Sequence, residues 1–314
     1  MNTDIPYTDE EREALRHCRL CPRKCGADRT KGEMGFCNCT DEIGVSLVCN
    51  HNGEEPVISR EKGICNVFFI HCNLQCIYCQ NRQISRNVSR PELPYGSFDR
   101  LIARIKEVLS ESENVLGFVS PTHHLPLMKA VIRTLNSEGL HPRIVYNTNA
   151  YDNVEELKKL EGMVDIYLPD LKYMDRDLAR RLSMAEDYPQ KALEAIGEMY
   201  RQKGSSLLTD ADDVLESGLI VRHLVLPDCS DNTAMVLEAI SGISPNIAVS
   251  LMSQYAPPEP MPYAFLNKRL SESQYETARE RFFETGLHKG WMQDLSSQEN
   301  LVPDFDKGTW SHSK

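Results

Sequence analysis

The sequence has no run of roughly eighteen consecutive apolar residues, the length that a transmembrane helix requires. Its first residues, Met1 to Arg16, are polar and acidic and include no apolar stretch of the kind found in secretory signals. We therefore expect no membrane segment and a protein of the cytoplasm.

Basic residues are also in deficit. The chain has 35 Lys and Arg against 46 Asp and Glu, a formal net charge of −11, and no stretch combines clustered basic residues with aromatic ones. Since nonspecific binding to DNA or RNA depends on clustered Lys and Arg at the phosphates, we expect no nucleic acid partner. A protein or a small molecule is the expected substrate.

Cysteine, by contrast, is plentiful, with 11 residues. This number would suit a disulfide framework in a small secreted domain, but in an intracellular chain with CxxC spacings it indicates metal binding. Four of the thiols form an N-terminal set that is sufficient for zinc or for an auxiliary iron–sulfur cluster: Cys18, Cys21, Cys25 and Cys37. Reduced cysteines in a small glycine-rich segment are the alternative.

A second set of thiols lies in the segment Cys72-Asn-Leu-Gln-Cys76-Ile-Tyr-Cys79, directly after an apolar run. A [4Fe-4S] cluster normally takes four thiolates, so a loop with three leaves one iron free for a substrate or cofactor. We therefore interpret Cys72, Cys76 and Cys79 as ligands of a catalytic [4Fe-4S] cluster. The alternatives are a zinc loop, which would need a fourth ligand to close a structural site, and three buried structural cysteines.

The CxxxCxxC spacing, followed by Gln80-Asn81, resembles the radical SAM superfamily, and the stretch from Cys18 to Pro257 resembles proteins similar to pyruvate formate-lyase activating enzyme. The resemblance implies that S-adenosylmethionine (SAM) binds at the free iron and is cleaved to methionine and a 5′-deoxyadenosyl radical, which abstracts hydrogen from a substrate. It also implies an oxidoreductase that uses a reductant such as flavodoxin or ferredoxin. Its specific expectation is an activase for a partner glycyl radical enzyme.

Two other functions are compatible with the same residues. One is a radical SAM enzyme that modifies a metabolite or another macromolecule, and the other is a nonenzymatic iron–sulfur or zinc protein. Because one fold and one cofactor site support many substrates, the motif does not choose between the two enzymatic functions. The nonenzymatic function predicts no cleavage of SAM by a reduced cluster.

The fold expected from the sequence is α/β. From Cys65 onward, β-rich apolar segments alternate with helical patterns, which is typical of βα units around a parallel sheet. The resemblance implies the partial (β/α)6 TIM-type barrel of radical SAM enzymes, whereas the pattern alone equally allows an open doubly wound sheet. The predicted strands are Asn66–His71, Val115–Ser120, Arg143–Asn147, Asp165–Leu168, Leu219–Leu226 and Ala248–Ser253, and the predicted helices are Leu125–Asn136, Val154–Leu160, Gln190–Gln202 and Ser273–Phe283.

Three regions follow from this pattern. Residues 1–60 form a cysteine-rich N-terminal segment, residues 61–265 form the partial barrel, and residues 266–314 form a C-terminal helix with a polar tail. We expect the tail, from Ser296 to Lys314, to be poorly ordered.

Functional side chains of such a barrel are expected where the strands end. The resemblance places Tyr78 near the adenine of SAM, with a core aromatic as the alternative. Asp170 and Lys172 lie two residues apart, so in an extended segment they share one face and could orient the carboxylate or ribose of the cofactor; a surface ion pair is the alternative. By position, the resemblance carries over five cofactor contacts: Asn147, Thr148, Asn149, Asp170 and Lys172.

The second predicted strand ends without the Gly-Gly-Glu motif that contacts the amino group of SAM in much of the superfamily. Ser120 and Thr122 offer hydroxyl groups in its place. Of the adjacent His123 and His124, we expect one to reach the active site and the other to be structural or exposed.

Two further groups of polar residues are candidates. Arg222 and His223 in the fifth predicted strand point to opposite faces, and we take Arg222 as a cofactor or substrate contact rather than an arginine that reaches solvent at the sheet edge. Glu54 and Glu55 also match the relatives, and we interpret them as a solvated acidic turn, with a position near the barrel mouth as the alternative.

Overall fold

The computed structural model describes residues 5–88, 93–298, 303–305 and 309–310. The strands are β1 (Val45–His51), β2 (Ile64–Phe69), β3 (Val115–Val119), β4 (Arg143–Thr148), β5 (Ile166–Pro169), β6 (Leu208–Thr209), β7 (Leu215–Leu224), β8 (Ala248–Met252), β9 (Gly290–Met292), β10 (Pro303–Asp304) and β11 (Thr309–Trp310). The helices are α1 (Asp9–Arg16), α2 (Pro56–Ser59), α3 (Arg82–Ser85), α4 (Phe98–Leu109), α5 (Leu125–Ser137), α6 (Val154–Lys158), α7 (Arg176–Ser183), α8 (Tyr188–Lys203), α9 (Ser230–Ile243) and α10 (Glu272–Glu284).

The main sheet is largely parallel and open. Strands β2, β3, β4, β5, β7, β8 and β9 lie side by side in chain order and run parallel. Strand β1 is antiparallel to β2 at one edge, β9 forms the other edge, and the short β6 pairs with β7. Within the described ranges no pairing joins β1 to β9, so the sheet does not close. The predicted partial barrel is confirmed, and β1, β6 and β9 are additions to the predicted strands.

The interior of the barrel changes from apolar to polar along the strands. Residues two apart on a strand share a face, because successive side chains alternate. The faces turned inward near the start of the strands carry one buried apolar cluster that includes Ile64, Val115, Val145, Ile166, Ile220 and Ala248. Two residues further along five of these six strands, those faces carry Asn66, Gly117, Asn147, Arg222 and Ser250. The polar layer therefore lies toward the carboxyl ends of the strands.

Amphipathic helices cover the outside of the sheet. Helix α4 illustrates the cause: Ser97 caps its first turn by accepting a hydrogen bond from the Arg100 backbone N–H, and Leu101, Ile105 and Val108 recur on one buried face. Each such buried side chain contributes about 1.5–3 kcal/mol of transfer free energy relative to full exposure. The large core between the helices and the sheet therefore fixes the strands that carry the polar layer.

The N-terminal segment is attached to the barrel by a few long-range contacts. The Arg23 guanidinium donates hydrogen bonds to the backbone oxygens of Asn73 (2.8 Å) and Met184 (2.8 Å), and it lies 3.4 Å from the centre of the Phe36 ring. Arg29 is buried and donates to the backbone oxygen of His123 at 2.6 Å. The segment also supplies β1 to the sheet, while the predicted boundary near residue 60 stays a prediction.

Part of the predicted tail is ordered. Strands β10 and β11 pair with each other, and the Phe305 ring packs edge-on against Phe68 with centroids 5.3 Å apart. Much of the rest of the predicted tail, at 299–302, 306–308 and 311–314, lies outside the described residues. Among the helices that the structure describes, none is both long and apolar enough to cross a membrane.

Candidate active site

A pocket of about 200 Å³ lies at the carboxyl ends of the strands, and we call it the barrel pocket. Phe68, Val119, Leu224 and Met252 contribute apolar walls, and the polar layer contributes Asn147 and Arg222. Backbone conformations near this edge are unusual: His71, Ser120 and Ala150, which follow β2, β3 and β4, have φ of 61°, 54° and 62°. Left-handed conformations of non-glycine residues are energetically unfavourable, and they concentrate at functional sites.

The loop after β2 brings three thiols to the barrel pocket, and each sulfur accepts a hydrogen bond from a different side chain. Asn149 Nδ2 donates to Cys72 Sγ (3.3 Å), Ser183 Oγ donates to Cys76 Sγ (3.0 Å), and Ser85 Oγ donates to Cys79 Sγ (3.3 Å). Donors aimed at sulfur stabilise the negatively charged thiolate, which is the form that binds metal. The donors Asn149 and Ser183 come from distant parts of the chain, and the donor Ser85 comes from α3.

Three thiols in one loop are a donor set for a cluster that leaves one iron open. Ligands of a tetrahedral zinc ion lie about 4 Å from one another, because each zinc–sulfur bond is about 2.3 Å. Across the described residues, the only group of three or more possible ligands whose atoms all lie within 4.8 Å consists of Cys39, His123 and His124. The electrostatic interactions among Cys72, Cys76 and Cys79 show that the three sulfurs lie near one another. This donor set fits a multi-iron cluster, whose thiolates bind different irons.

Burial keeps the thiols of Cys72 and Cys76 protonated in the absence of a metal. Desolvation raises the pKa of Cys72, and it raises the pKa of Cys76 to about 11, while the nearby Lys172 ammonium opposes both shifts. Since metal ligation requires thiolates, cluster binding at this loop releases protons.

Aromatic and hydroxyl groups connect the pocket wall to Cys76. The Tyr78 and Tyr173 hydroxyl oxygens are 2.6 Å apart, and Tyr173 Oη is 2.8 Å from the Ser183 oxygen that donates to Cys76. The Tyr78 ring also packs edge-on against Tyr255, with centroids 6.1 Å apart. Tyr78 is therefore both a wall of the pocket and part of a buried hydroxyl chain.

Four charged groups form a network on the pocket floor. Asp170 accepts hydrogen bonds from Arg222 Nε (2.7 Å) and Lys172 Nζ (2.8 Å), one on each oxygen. Arg222 Nη1 lies 3.3 Å from Glu54 Oε2, and Arg222 Nη2 donates to Asn147 Oδ1 at 2.7 Å. Two cations thus face two carboxylates, and the network carries no net charge when all four groups are ionised.

The pKa shifts show which effect dominates at Asp170. Burial by itself would raise the pKa of this carboxyl, but Arg222 and Lys172 outweigh burial and hold the pKa below its usual range. Burial would also lower the pKa of Lys172, and the Asp170 carboxylate keeps that pKa above its usual value. The pair is therefore charged at neutral pH.

Comparison with known proteins identifies the family. Residues 66–209 match the family described as "Radical SAM superfamily". This range includes the three-thiol loop and the floor residues Asp170 and Lys172. A protein of Methanocaldococcus jannaschii, uncharacterized protein MJ0674, is 30% identical over 276 residues, covering 85% of this chain and 74% of its own. The chain belongs to the radical SAM superfamily.

Solved structures similar to this radical SAM chain include Streptococcus suis SuiB bound to S-adenosylmethionine, with a TM-score of 0.49 and 10% identity over 76% of this chain and 52% of that one. A second is native anSMEcpe with bound AdoMet, with a TM-score of 0.44 and 17% identity over 73% of this chain and 59% of that one. The radical SAM chain therefore spans about half the length of these solved structures.

The barrel pocket brings together nearly all the site residues predicted from the sequence of this radical SAM protein. Arg222 faces the pocket, while the neighbouring His223 is buried on the other face, where its ring nitrogens lie 2.8 Å from Leu171 O and 3.1 Å from Thr233 Oγ1. The assignment of cofactor contacts stays a prediction. The predicted residues that line the pocket are Cys72, Cys76, Tyr78, Cys79, Ser120, Asn147, Thr148, Asn149, Asp170, Lys172 and Arg222.

Thr122 is placed differently from its predicted role. Its side chain is buried and does not line the barrel pocket; its hydroxyl donates to Asp152 Oδ1 at 2.7 Å and lies 3.4 Å from the hydroxyl of Thr148, which does line the pocket. Asp152 also accepts hydrogen bonds from Thr148 Oγ1 and Tyr146 Oη, each at 2.7 Å. The hydroxyl of Thr122 thus donates to a buried carboxylate, Asp152, which no local pattern in the sequence had indicated.

Two other expectations need correction. Glu54 and Glu55 do not form a solvated turn, because Glu54 bonds Arg222 in the pocket and Glu55 is 7% exposed with a pKa raised by burial. Neither His123 nor His124 lines the barrel pocket, and neither is exposed. The positions of the two histidines depend on packing against segments that are distant in sequence. For Glu54, the only signal in the sequence was the acidic motif that the chain shares with its relatives.

The N-terminal thiols surround a buried cation. Cys18, Cys25 and Cys37 all interact electrostatically with the Arg29 guanidinium, whose Nη2 donates to Cys37 Sγ at 3.2 Å. The hydrogen bond with the Cys39 thiol, together with Arg29, lowers the pKa of Cys37 to about 6 despite burial. In the described part of the chain no carboxylate pairs with Arg29. Such a cation suits thiolates held by a metal.

We expect Ser183→Ala to lower the reduction potential of a cluster on the three-thiol loop. The lost donor stabilises the more negative, reduced state, and a hydrogen bond of about 0.5–1.5 kcal/mol corresponds to about 20–60 mV for one electron. Potentiometric titration measures the shift. Ser241→Ala is the control, because Ser241 donates to the Thr285 backbone oxygen, far from the loop. Equal potentials in both variants would contradict a role for this hydrogen bond.

We expect Asp170→Asn to reduce the free energy of unfolding by up to about 3–5 kcal/mol, because it leaves Arg222 and Lys172, which are largely buried, without their shared carboxylate. The pKa of Asp170 is lower in the folded than in the unfolded protein. The difference in free energy of unfolding between parent and variant is therefore constant above about pH 4 and becomes smaller as the pH falls further, because protonation removes the carboxylate charge. Urea unfolding of the cluster-free protein followed by circular dichroism gives both results. Asp210→Asn, at a more exposed pair with Arg143, should have a much smaller effect; an equal effect would argue against the buried network.

Proposed function

We propose that the protein is a radical SAM enzyme that holds a [4Fe-4S] cluster on Cys72, Cys76 and Cys79 and binds SAM beside it in the barrel pocket. One observation carries the proposal: the three thiols and the charged floor line the same pocket. With electrons from a reductant such as flavodoxin or ferredoxin, the bound cluster and SAM supply a 5′-deoxyadenosyl radical for hydrogen abstraction.

The charged floor of the barrel pocket is complementary to the amino acid end of SAM. The amino acid end of SAM carries both an ammonium and a carboxylate, and the floor offers both signs, with Lys172 and Arg222 against Asp170 and Glu54. Lys172 interacts electrostatically with Cys72, Cys76 and Asp170, so it links the cluster loop to the floor. We assign Asn149 to the same end of the cofactor, because it also donates to Cys72.

The opposite wall suits an aromatic base. Tyr78 presents its ring to the barrel pocket and is fixed by Tyr173 and Tyr255 from two sides. A ring held in this way can pack against adenine with little loss of side-chain entropy. Ser120 is available on the pocket edge, whereas the Thr148 hydroxyl already donates to Asp152.

Exclusion of water is the task of the apolar walls. Phe68, Val119 and Met252 surround the polar floor on strands β2, β3 and β8. Walls that exclude water lower the local dielectric constant, which strengthens the electrostatic contacts between the floor and a bound ligand.

The more specific part of the proposal is that the substrate is a glycine of a glycyl radical enzyme. It is supported by the resemblance of the segments at Asn147–Asn149 and Asp170–Lys172 to activating enzymes. We further propose that the protein acts in the cytoplasm and that the four N-terminal thiols, Cys18, Cys21, Cys25 and Cys37, hold zinc or an auxiliary iron–sulfur cluster beside Arg29.

Cleavage of SAM is the first test. After anaerobic reconstitution with iron and sulfide and reduction with dithionite, the parent protein should form 5′-deoxyadenosine, measured by chromatography, and Cys76→Ala should form none. Cys65→Ala is the control, because Cys65 is a free cysteine of β2 that directs its thiol toward Ile105 O and not toward the barrel pocket. Absence of product from a fully assembled, reduced cluster, with and without cell extract, would overturn the proposal.

The activase step needs a separate test. Anaerobic coexpression with a glycyl radical enzyme from the same cell should produce a glycine-centred radical, detected by electron paramagnetic resonance, and Cys76→Ala should abolish the signal. If 5′-deoxyadenosine forms but none of the cell's glycyl radical enzymes acquires the signal, the substrate is instead a metabolite or another macromolecule.

A further inference from the structure

A group of three metal-binding side chains lies outside the barrel pocket. Cys39, His123 and His124 are 3%, 0% and 5% exposed, and one potential ligand atom from each lies within 4.8 Å of the other two. Cys39 comes from the N-terminal segment, while the two histidines follow β3, so residues 84 and 85 positions apart meet here without being near in sequence.

The hydrogen bonding of His123 leaves one nitrogen available. Its Nε2 lies 2.8 Å from the backbone oxygen of Ile70, an acceptor that fixes the ring proton on Nε2. Its Nδ1 is then an unprotonated nitrogen, and it is buried without a hydrogen-bond partner. Metal-ligating histidines commonly have this arrangement, in which a backbone carbonyl holds one nitrogen and the lone pair of the other is free for the metal.

The packing around His124 holds its ring against the cysteine. His124 Nε2 is 3.5 Å from Cys39 Sγ, and the ring stacks on Phe69 with centroids 4.9 Å apart. A Cβ at Gly44 would lie 2.2 Å from His124 Cε1, so only glycine leaves room for the ring in this position. The two remaining ligands are therefore held together by an apolar wall on one side and a glycine on the other.

We propose that Cys39, His123 and His124 form a metal site for Zn²⁺ or a similar borderline transition-metal ion, separate from the cluster loop and from the four N-terminal thiols. One thiolate and two imidazoles are a donor set that zinc accepts, with the fourth position open. A pocket of about 200 Å³ adjoins Cys39 and His124 and is also lined by Gly44, Ile70 and His71, so water or another ligand can reach the site. On binding, the Cys39 thiol, now near the Cys37 backbone oxygen at 3.3 Å, releases its proton to solvent.

Zinc titration of the full chain tests the site. After anaerobic chelation, the protein is titrated with Zn²⁺ against a chromophoric chelator. Cys39→Ser, His123→Gln and His124→Gln should each lose one equivalent of tightly bound zinc, or bind it about a hundredfold or more weakly. The controls Cys65→Ala and His223→Gln should keep it, because His223 is a buried histidine whose two nitrogens both have partners. The same stoichiometry and affinity in all five variants would overturn the proposal.

A measurement on the unmodified sequence covers the possibility that the variants do not fold. With nitrogen-labelled histidine, Zn²⁺ should shift the ring-nitrogen resonances of two of the 9 histidines. Anaerobic Co²⁺ should in addition produce a thiolate-to-cobalt absorption band that persists when Cys21→Ser and Cys76→Ala together disable the N-terminal set and the cluster loop. Unshifted histidine resonances, or a cobalt band that disappears in this double variant, would contradict a separate site with two imidazoles and one thiolate.

Discussion

The ion pair between Asp170 and Arg222 organises this protein more than any other single contact. It joins the ends of β5 and β7, where the same two residues also form a parallel backbone bridge. Arg222 extends the contact to Asn147 of β4 and to Glu54 before α2, and Asp170 extends it to Lys172. Because buried charges are unfavourable without partners, each of these side chains is confined to one position by the others. The pocket floor therefore has a defined geometry before any ligand binds.

This balance of charge explains why the barrel can be polar in its middle. The apolar layer below supplies the burial that stabilises the strands, and the polar layer can adjoin it because Asn66, Asn147 and Arg222 each donate a hydrogen bond to Glu54 inside the barrel. Gly117 contributes by being small: a Cβ there would lie 1.9 Å from Asn66 Oδ1, so the asparagine extends across β3 toward Glu54. The thiol loop follows the same rule, with a donor for each sulfur.

Local patterns in the sequence predicted the parts of this arrangement that depend on neighbouring residues. The six predicted strands, the three-thiol loop and the opposite orientations of Arg222 and His223 follow from periodicity and spacing. Contacts between distant segments were not predictable in this way: Glu54 meets Arg222 across 168 positions, and Cys39 meets His124 across 85. The prediction that Thr122 offers its hydroxyl to the cofactor was wrong for the same reason. Its partner Asp152 lies 30 positions away in the sequence. A polar residue at a strand end has two possible directions, and only tertiary packing selects between them.

The contacts of Arg23 have a consequence for biosynthesis. This arginine holds the cysteine-rich segment against the barrel through the backbone oxygen of Met184, which lies 161 positions further along the chain. Arg29 likewise donates to the backbone oxygen of His123, which lies 94 positions further along. During translation the first thiols leave the ribosome long before either acceptor exists, so for that interval they are unprotected nucleophiles. Their protection therefore depends on how soon the barrel forms after they are synthesised, and slow synthesis lengthens the interval in which they are open to oxidation.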